Sequence, residues 1–88
     1  MDATRITLVK EPALRVVLML LGRGPKISEH QAAGPLTFQV LSGSVTFRAG
    51  RRAARLGSGE LVVLEAAVAH EVEALEESAC LLTLGGAS

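Results

Sequence analysis

Short apolar runs of strand length alternate along the chain with glycine and proline residues. Within several runs, apolar and polar side chains alternate with a period of two, which is typical of a strand with one buried face. Because a closed sheet leaves no exposed edges, many short strands in a small chain favour an all-β barrel or jelly roll. The pattern predicts eight strands, near residues 4–9, 14–22, 36–42, 44–49, 51–56, 60–65, 70–75 and 79–84.

Residues 65–77 allow a helical interpretation, because this segment is rich in good helix formers. Against a helix, the residues from Val68 to Ala74 alternate in character with a period of two, and the alternation includes His70. A period of two favours a strand over a helix.

Two predicted strands, residues 14–21 and 61–64, are apolar on both faces. In a barrel one face meets the interior, so the opposite face needs another cover. For residues 14–21 we predict an interface with a second copy of the chain, and therefore a homodimer. The alternative is that the N-terminal strand folds back over this face.

The composition is that of one domain without a strongly charged surface. The chain has 88 residues, and its nine basic residues balance nine acidic ones. A net charge near zero argues against surfaces for nucleic acid or anionic membranes. The longest apolar run, residues 16–21, has six residues, far short of the roughly 20 that a membrane helix needs.

Cys80 is the single cysteine, so no intramolecular disulfide can form, which fits a reducing compartment. Residues 1–12 carry four charges and lack the apolar core of a secretory signal. We therefore expect a cytoplasmic protein, in which Cys80 is an inert core thiol rather than a nucleophile.

Four arginines flank the turn at residues 49–50, namely Arg48, Arg51, Arg52 and Arg55. An anion or an acidic partner that docks there is one interpretation of this cluster. We favour a solvated hairpin, because arginines beside turns commonly protect sheet edges.

The two histidines lie in β-rich segments with recognisable spacing. His30 follows Gly24 in a segment that Gly43 closes, and His70 follows Gly59 in the second segment. These spacings resemble the two sequence motifs of the small cupins. The resemblance covers residues 24–74, and it implies a single cupin domain over residues 1–88 with a jelly-roll barrel.

The chain departs from the cupin motifs at several positions. Ala32 occupies the slot of the second histidine, and Leu36 occupies the slot of the glutamate ligand. The sequence at residues 65–67 is Glu-Ala-Ala instead of Pro-x-Gly, and Ala74 replaces an asparagine.

In the family, three imidazoles and a carboxylate hold a divalent metal such as Zn, Fe, Mn or Ni. The resemblance therefore implies a metal site reduced to His30 and His70, with Glu65 as the candidate third ligand. Two histidines alone hold a transition metal weakly. The alternative is that both histidines are structural and bond a backbone carbonyl or water.

Three residues on the predicted inward face, Leu36, Phe38 and Val40, join His30 and His70 as predicted ligand-binding residues. Their apolar character favours binding over turnover. We therefore predict a non-enzymatic module that binds or senses a small-molecule ligand. One alternative is a metal-dependent cupin enzyme of the dioxygenase or isomerase type that uses His30 and His70. Another is a structural or regulatory homodimer that docks another protein through residues 14–21.

Overall fold

The computed structural model describes residues 3–24, 26–29 and 34–86. Within these residues, no helix has the length and hydrophobicity needed to cross a membrane. The described chain forms nine strands: β1 (Ala3–Glu11), β2 (Leu14–Leu21), β3 (Lys26–Glu29), β4 (Leu36–Ser42), β5 (Ser44–Ala49), β6 (Arg52–Gly57), β7 (Leu61–Leu64), β8 (His70–Ala74) and β9 (Ser78–Gly85).

The strands form two antiparallel sheets that pack face to face. The five-stranded sheet has the order β1-β2-β9-β4-β7, and the four-stranded sheet has the order β3-β8-β5-β6. Neighbouring strands within a sheet are mostly distant in sequence, as in a jelly roll. The all-β jelly-roll prediction is therefore confirmed.

All eight predicted strands are present. The helical interpretation of residues 65–77 is wrong, because this segment contains strand β8. The sequence analysis missed β3, which pairs with β8 from Lys26 opposite Glu73 to Glu29 opposite His70. Ile27 is the one apolar residue of β3, so this strand has no alternation from which it could be detected.

The interior between the sheets is filled by apolar side chains. Along β4, buried residues alternate with half-buried ones, as the period of two predicts. The largest side chains that are less than 2% exposed are Phe38, Met19, Val40, Val45, Val72 and Cys80. Aliphatic and sulfur-containing groups therefore form most of the core, with Phe38 and Phe47 as its aromatic members.

The outer face of the five-stranded sheet consists of the side chains that point away from this core. The proposed cover by the N-terminal strand is wrong, because β1 lies beside β2 in the same sheet, with Ile6 opposite Leu18. All seven large apolar residues that are exposed in the described chain belong to strands of this sheet: Ile6, Leu8, Leu14, Leu20, Leu41, Leu61 and Val63.

A tight corner joins the two sheets at Gly43, which links β4 to β5. Gly43 has a φ of +97°, and a Cβ there would lie 2.6 Å from the carbonyl O of Glu77 and would collide with Ser78. The buried Ser78 hydroxyl accepts a hydrogen bond from Ser44 N at 3.0 Å and donates one to Glu76 O at 2.8 Å. The bond from Ser44 joins the start of β5 in one sheet to the start of β9 in the other, and the bond to Glu76 fixes the turn before β9.

The turn between β7 and β8 contains Ala67, whose φ of 66° lies in the left-handed region. This region is unfavourable for a residue with a Cβ, and glycine is the residue that usually occupies it. Ala67 stands where the cupin motif has its glycine, and its side chain is exposed.

Candidate functional site

His70 is the first residue of β8 and lies at one end of the barrel interior. Its side chain is 6% exposed, although histidine is a polar residue. Its Nδ1 lies 3.5 Å from the carbonyl O of Val68, the outer limit for a hydrogen bond. Since a carbonyl can only accept, this contact favours the tautomer that has its proton on Nδ1. Nε2 makes no hydrogen bond to any described residue.

The surroundings of His70 favour its neutral form. Burial lowers the pKa of His70 below its ordinary value of 6.5; the Val68 carbonyl opposes the shift, and the positive charge of Arg5 adds to it. A group with a lowered pKa binds its proton less readily than in the unfolded chain. The imidazole is therefore neutral at pH 7, with Nε2 as its acceptor.

An aromatic row of His70, Phe47 and Phe38 crosses the interior. The rings of His70 and Phe47 are stacked, with centroids 5.4 Å apart and planes 14° apart. The rings of Phe47 and Phe38 are 5.1 Å apart and tilted by 42°. Such contacts restrict the rotation of the imidazole, so that His70 is held in one orientation.

The three predicted ligand-binding residues of β4 all face the interior. Leu36, Phe38 and Val40 are 3%, 1% and 0% exposed, respectively. They lie in the core that the aromatic row crosses, and their inward orientation agrees with the sequence analysis. Their contact with a ligand stays a prediction.

The described residues do not fit a transition-metal site. Leu36, in the glutamate slot of the motif, is a buried hydrocarbon side chain, and Glu65 is exposed in the loop after β7. Within the ranges 3–24, 26–29 and 34–86, no group of three or more His, Cys, Asp or Glu residues could hold a metal ion. His30 and Ala32 lie outside the described residues, so the two-histidine site stays a prediction.

A cleft of about 280 Å³ opens beside the aromatic row, between β6 and β7. These strands are the end strands of the two sheets, so no ladder closes the barrel between them. The residues of this β6–β7 cleft include Phe47, Ala49, Arg52, Ala54, Val62 and Leu64.

Sequence analysis missed that Arg52 belongs to this cleft. Ala49 pairs with Arg52 and Phe47 with Ala54 across the β5–β6 hairpin, so these four residues share one face. Arg55 pairs with Thr46 and lies on the opposite face. A two-residue hairpin loop at residues 50–51 could have revealed this position of Arg52, because the loop length fixes the register of β5 and β6 and therefore which arginine faces inward.

Structural similarity identifies the fold. A conserved protein of unknown function from Streptococcus pyogenes superposes with a TM-score of 0.89 at 24% identity, covering 99% of this chain and 76% of that one. A cupin 2 conserved barrel domain protein from Leptotrichia buccalis gives a TM-score of 0.89 at 28% identity, covering 97% of this chain and 41% of that one. The chain has the fold of a small cupin domain.

The solved structures with a similar fold include an enzyme. Salicylate 1,2-dioxygenase from Pseudaminobacter salicylatoxidans has a TM-score of 0.88 at 19% identity, covering 96% of this chain and 26% of that one. At this identity, the similarity establishes the cupin fold and leaves the activity open. Neither a family model nor a curated protein matches the sequence.

Proposed function

We propose that this cupin is a non-enzymatic module that binds or senses a small molecule through His70. The observation that carries the proposal is the neutral, buried imidazole stacked on Phe47 beside an open apolar cleft. Small-molecule sites are mostly apolar and contain a few placed polar groups. Nε2 of His70 is such a group, since it can accept one hydrogen bond from a ligand.

The packing around His70 supports binding over turnover. Leu36 and Phe38 fill the interior where an open metal centre would need polar ligands. A bound molecule at this end of the barrel meets hydrocarbon surface and one imidazole. The cytoplasmic location that we propose rests on the single cysteine, Cys80, which is buried as a free thiol.

Native mass spectrometry and elemental analysis of the same sample, purified without chelator, test the proposal. We expect a small-molecule adduct in the wild type that is lost in His70→Ala and kept in Glu71→Ala, a control on the same strand. Near-stoichiometric metal that disappears in both His30→Ala and His70→Ala would support the metal-dependent enzyme instead. Absence of both adduct and metal, after incubation with apolar compounds and with Zn, Fe, Mn and Ni, would contradict the ligand-binding module.

We also propose that the outer face of the five-stranded sheet binds a second copy of the chain. The positions of this face on β2, β9, β4 and β7 carry no charged residue, so a charged partner has no complementary group there. Two identical apolar faces are complementary to each other under two-fold symmetry. Exposed apolar patches of several strands mark such interfaces.

Sedimentation equilibrium tests the homodimer. We expect a dimer for the wild type and a monomer for Leu20→Glu, because Leu20 is 41% exposed on this face. The control is Thr46→Glu, which places the same charge on the outside of the four-stranded sheet and should leave the dimer intact. A monomeric wild type, or a Leu20→Glu variant that remains dimeric, would contradict this interface.

A further inference from the structure

We propose that the β6–β7 cleft binds small apolar carboxylates, with the Arg52 guanidinium as the anion-binding group. This inference rests on the proposed small-ligand module, because the cleft adjoins its aromatic row. It assigns the chemical class of the ligand, and it assigns Arg52 a role in specificity.

The register of the four-stranded sheet places Arg52 on the face that lines the cleft, and its side chain is exposed to solvent. Ala49 of β5 pairs with Arg52 on one side and with His70 on the other. These three residues therefore form a row across adjacent strands, and two strand spacings separate the backbones of Arg52 and His70 by about 10 Å. A small ligand can span this distance.

The inner wall of the cleft is apolar. Phe47 and Ala54 line it from the four-stranded sheet, while Val62 and Leu64 line it from β7. At about 280 Å³ the cleft is slightly smaller than most ligand sites, which run from roughly 300 to 1,000 Å³. It therefore suits a short hydrocarbon chain or a single ring.

Arg52 supplies the one charge among the residues that line the cleft. Its guanidinium makes no hydrogen bond or ion pair with any residue in the part of the chain that the structure describes. A guanidinium offers paired N–H donors that match a carboxylate in a bidentate geometry. An apolar acid can thus place its carboxylate on Arg52 while its hydrocarbon part occupies the apolar wall.

Hexanoate and hexan-1-ol are matched probes, because they share a chain length and differ in charge. Their affinities can be measured by NMR titration of isotopically labelled protein, with the shifts followed at the residues of the cleft. We expect hexanoate to bind the wild type about ten-fold more tightly than hexan-1-ol, as a charge-assisted hydrogen bond predicts.

Two arginine variants on the same strand test the role of Arg52. In Arg52→Gln, we expect hexanoate and hexan-1-ol to bind with similar affinity. In Arg55→Gln, which removes a charge from the opposite face of β6, we expect the preference for hexanoate to remain. Equal affinities in the wild type, or loss of the preference in Arg55→Gln, would overturn the assignment of Arg52.

The same titrations separate this inference from the proposed function. Hexan-1-ol that shifts the cleft residues as strongly as hexanoate would overturn the carboxylate class while leaving a small-ligand module in place. If neither probe shifts the cleft and the purified protein carries no small molecule, both the inference and the proposed function are overturned. Melting temperatures of the variants confirm that each remains folded during the titration.

Discussion

Replacing Ala67 by glycine should stabilise the protein, although most substitutions destabilise. Ala67 has a φ of 66° in the turn before β8, and its side chain is exposed, so the change removes no core contact. The left-handed conformation costs an alanine about 1 to 2 kcal/mol. Glycine avoids that cost, but its greater conformational freedom in the unfolded chain lowers the free energy of unfolding by about 0.5 to 1 kcal/mol.

The difference predicts a net gain of about 0.5 to 1 kcal/mol for Ala67→Gly. In a domain of this size, that gain raises the melting temperature by about 3 to 6 °C. The assay is thermal unfolding by circular dichroism, with a urea titration for the free energy of unfolding. Protein concentration is held constant, because association of chains would itself change the melting temperature.

Ala66→Gly is the matched control, because Ala66 is exposed in the same turn and does not have a positive φ. We expect Ala66→Gly to lower the free energy of unfolding by about 0.5 to 1 kcal/mol, because glycine at this position only increases the conformational freedom of the unfolded chain. An unchanged or lower stability of Ala67→Gly would refute the strain at residue 67. Equal shifts of the same sign in both variants would also refute it.

Three further predictions concern Gly43, Cys80 and His70. Gly43→Ala should lower the free energy of unfolding by about 2 to 4 kcal/mol in urea titrations, because the new Cβ collides with Ser78 at a positive φ. A loss under 1 kcal/mol would contradict the close packing of Gly43 against Ser78. Burial raises the pKa of the Cys80 thiol to about 11. A chromogenic disulfide reagent at pH 8 should therefore label Cys80 only after unfolding. Rapid labelling of the native protein would argue against the burial of Cys80. Because the fold lowers the pKa of His70, the unfolded chain takes up the proton first as the pH falls below 6.5, and the free energy of unfolding should decrease from there. His70→Gln should flatten this pH dependence in thermal melts from pH 8 to 5. An unchanged slope would contradict the pKa shift.

The sequence predicts local features of this fold well, because alternation and turn residues reflect the strand itself. The period of two on β4 correctly placed Leu36, Phe38 and Val40 inside. Strand β3 escaped detection because its place depends on pairing with β8, and only Ile27 in it is apolar. Long-range pairing is not encoded in the pattern of a short polar segment.

The candidate site was partly predictable for the same reason. Motif spacing correctly identified the cupin fold and singled out His70, which the structure places at one end of the interior. The alternation within β5 does not by itself say which arginine faces the cleft. That assignment depends on the register across the hairpin, where Ala49 meets Arg52.

The position of β9 has a consequence for how the chain is made. β9 lies between β2 and β4, so both neighbours leave the ribosome before the strand that joins them. Until residues 78–85 are synthesised, β2 and β4 each present an unpaired edge and uncovered apolar side chains. The five-stranded sheet therefore cannot assemble progressively from the N-terminus, and a nascent chain that stalls before β9 is the form most exposed to aggregation and proteolysis.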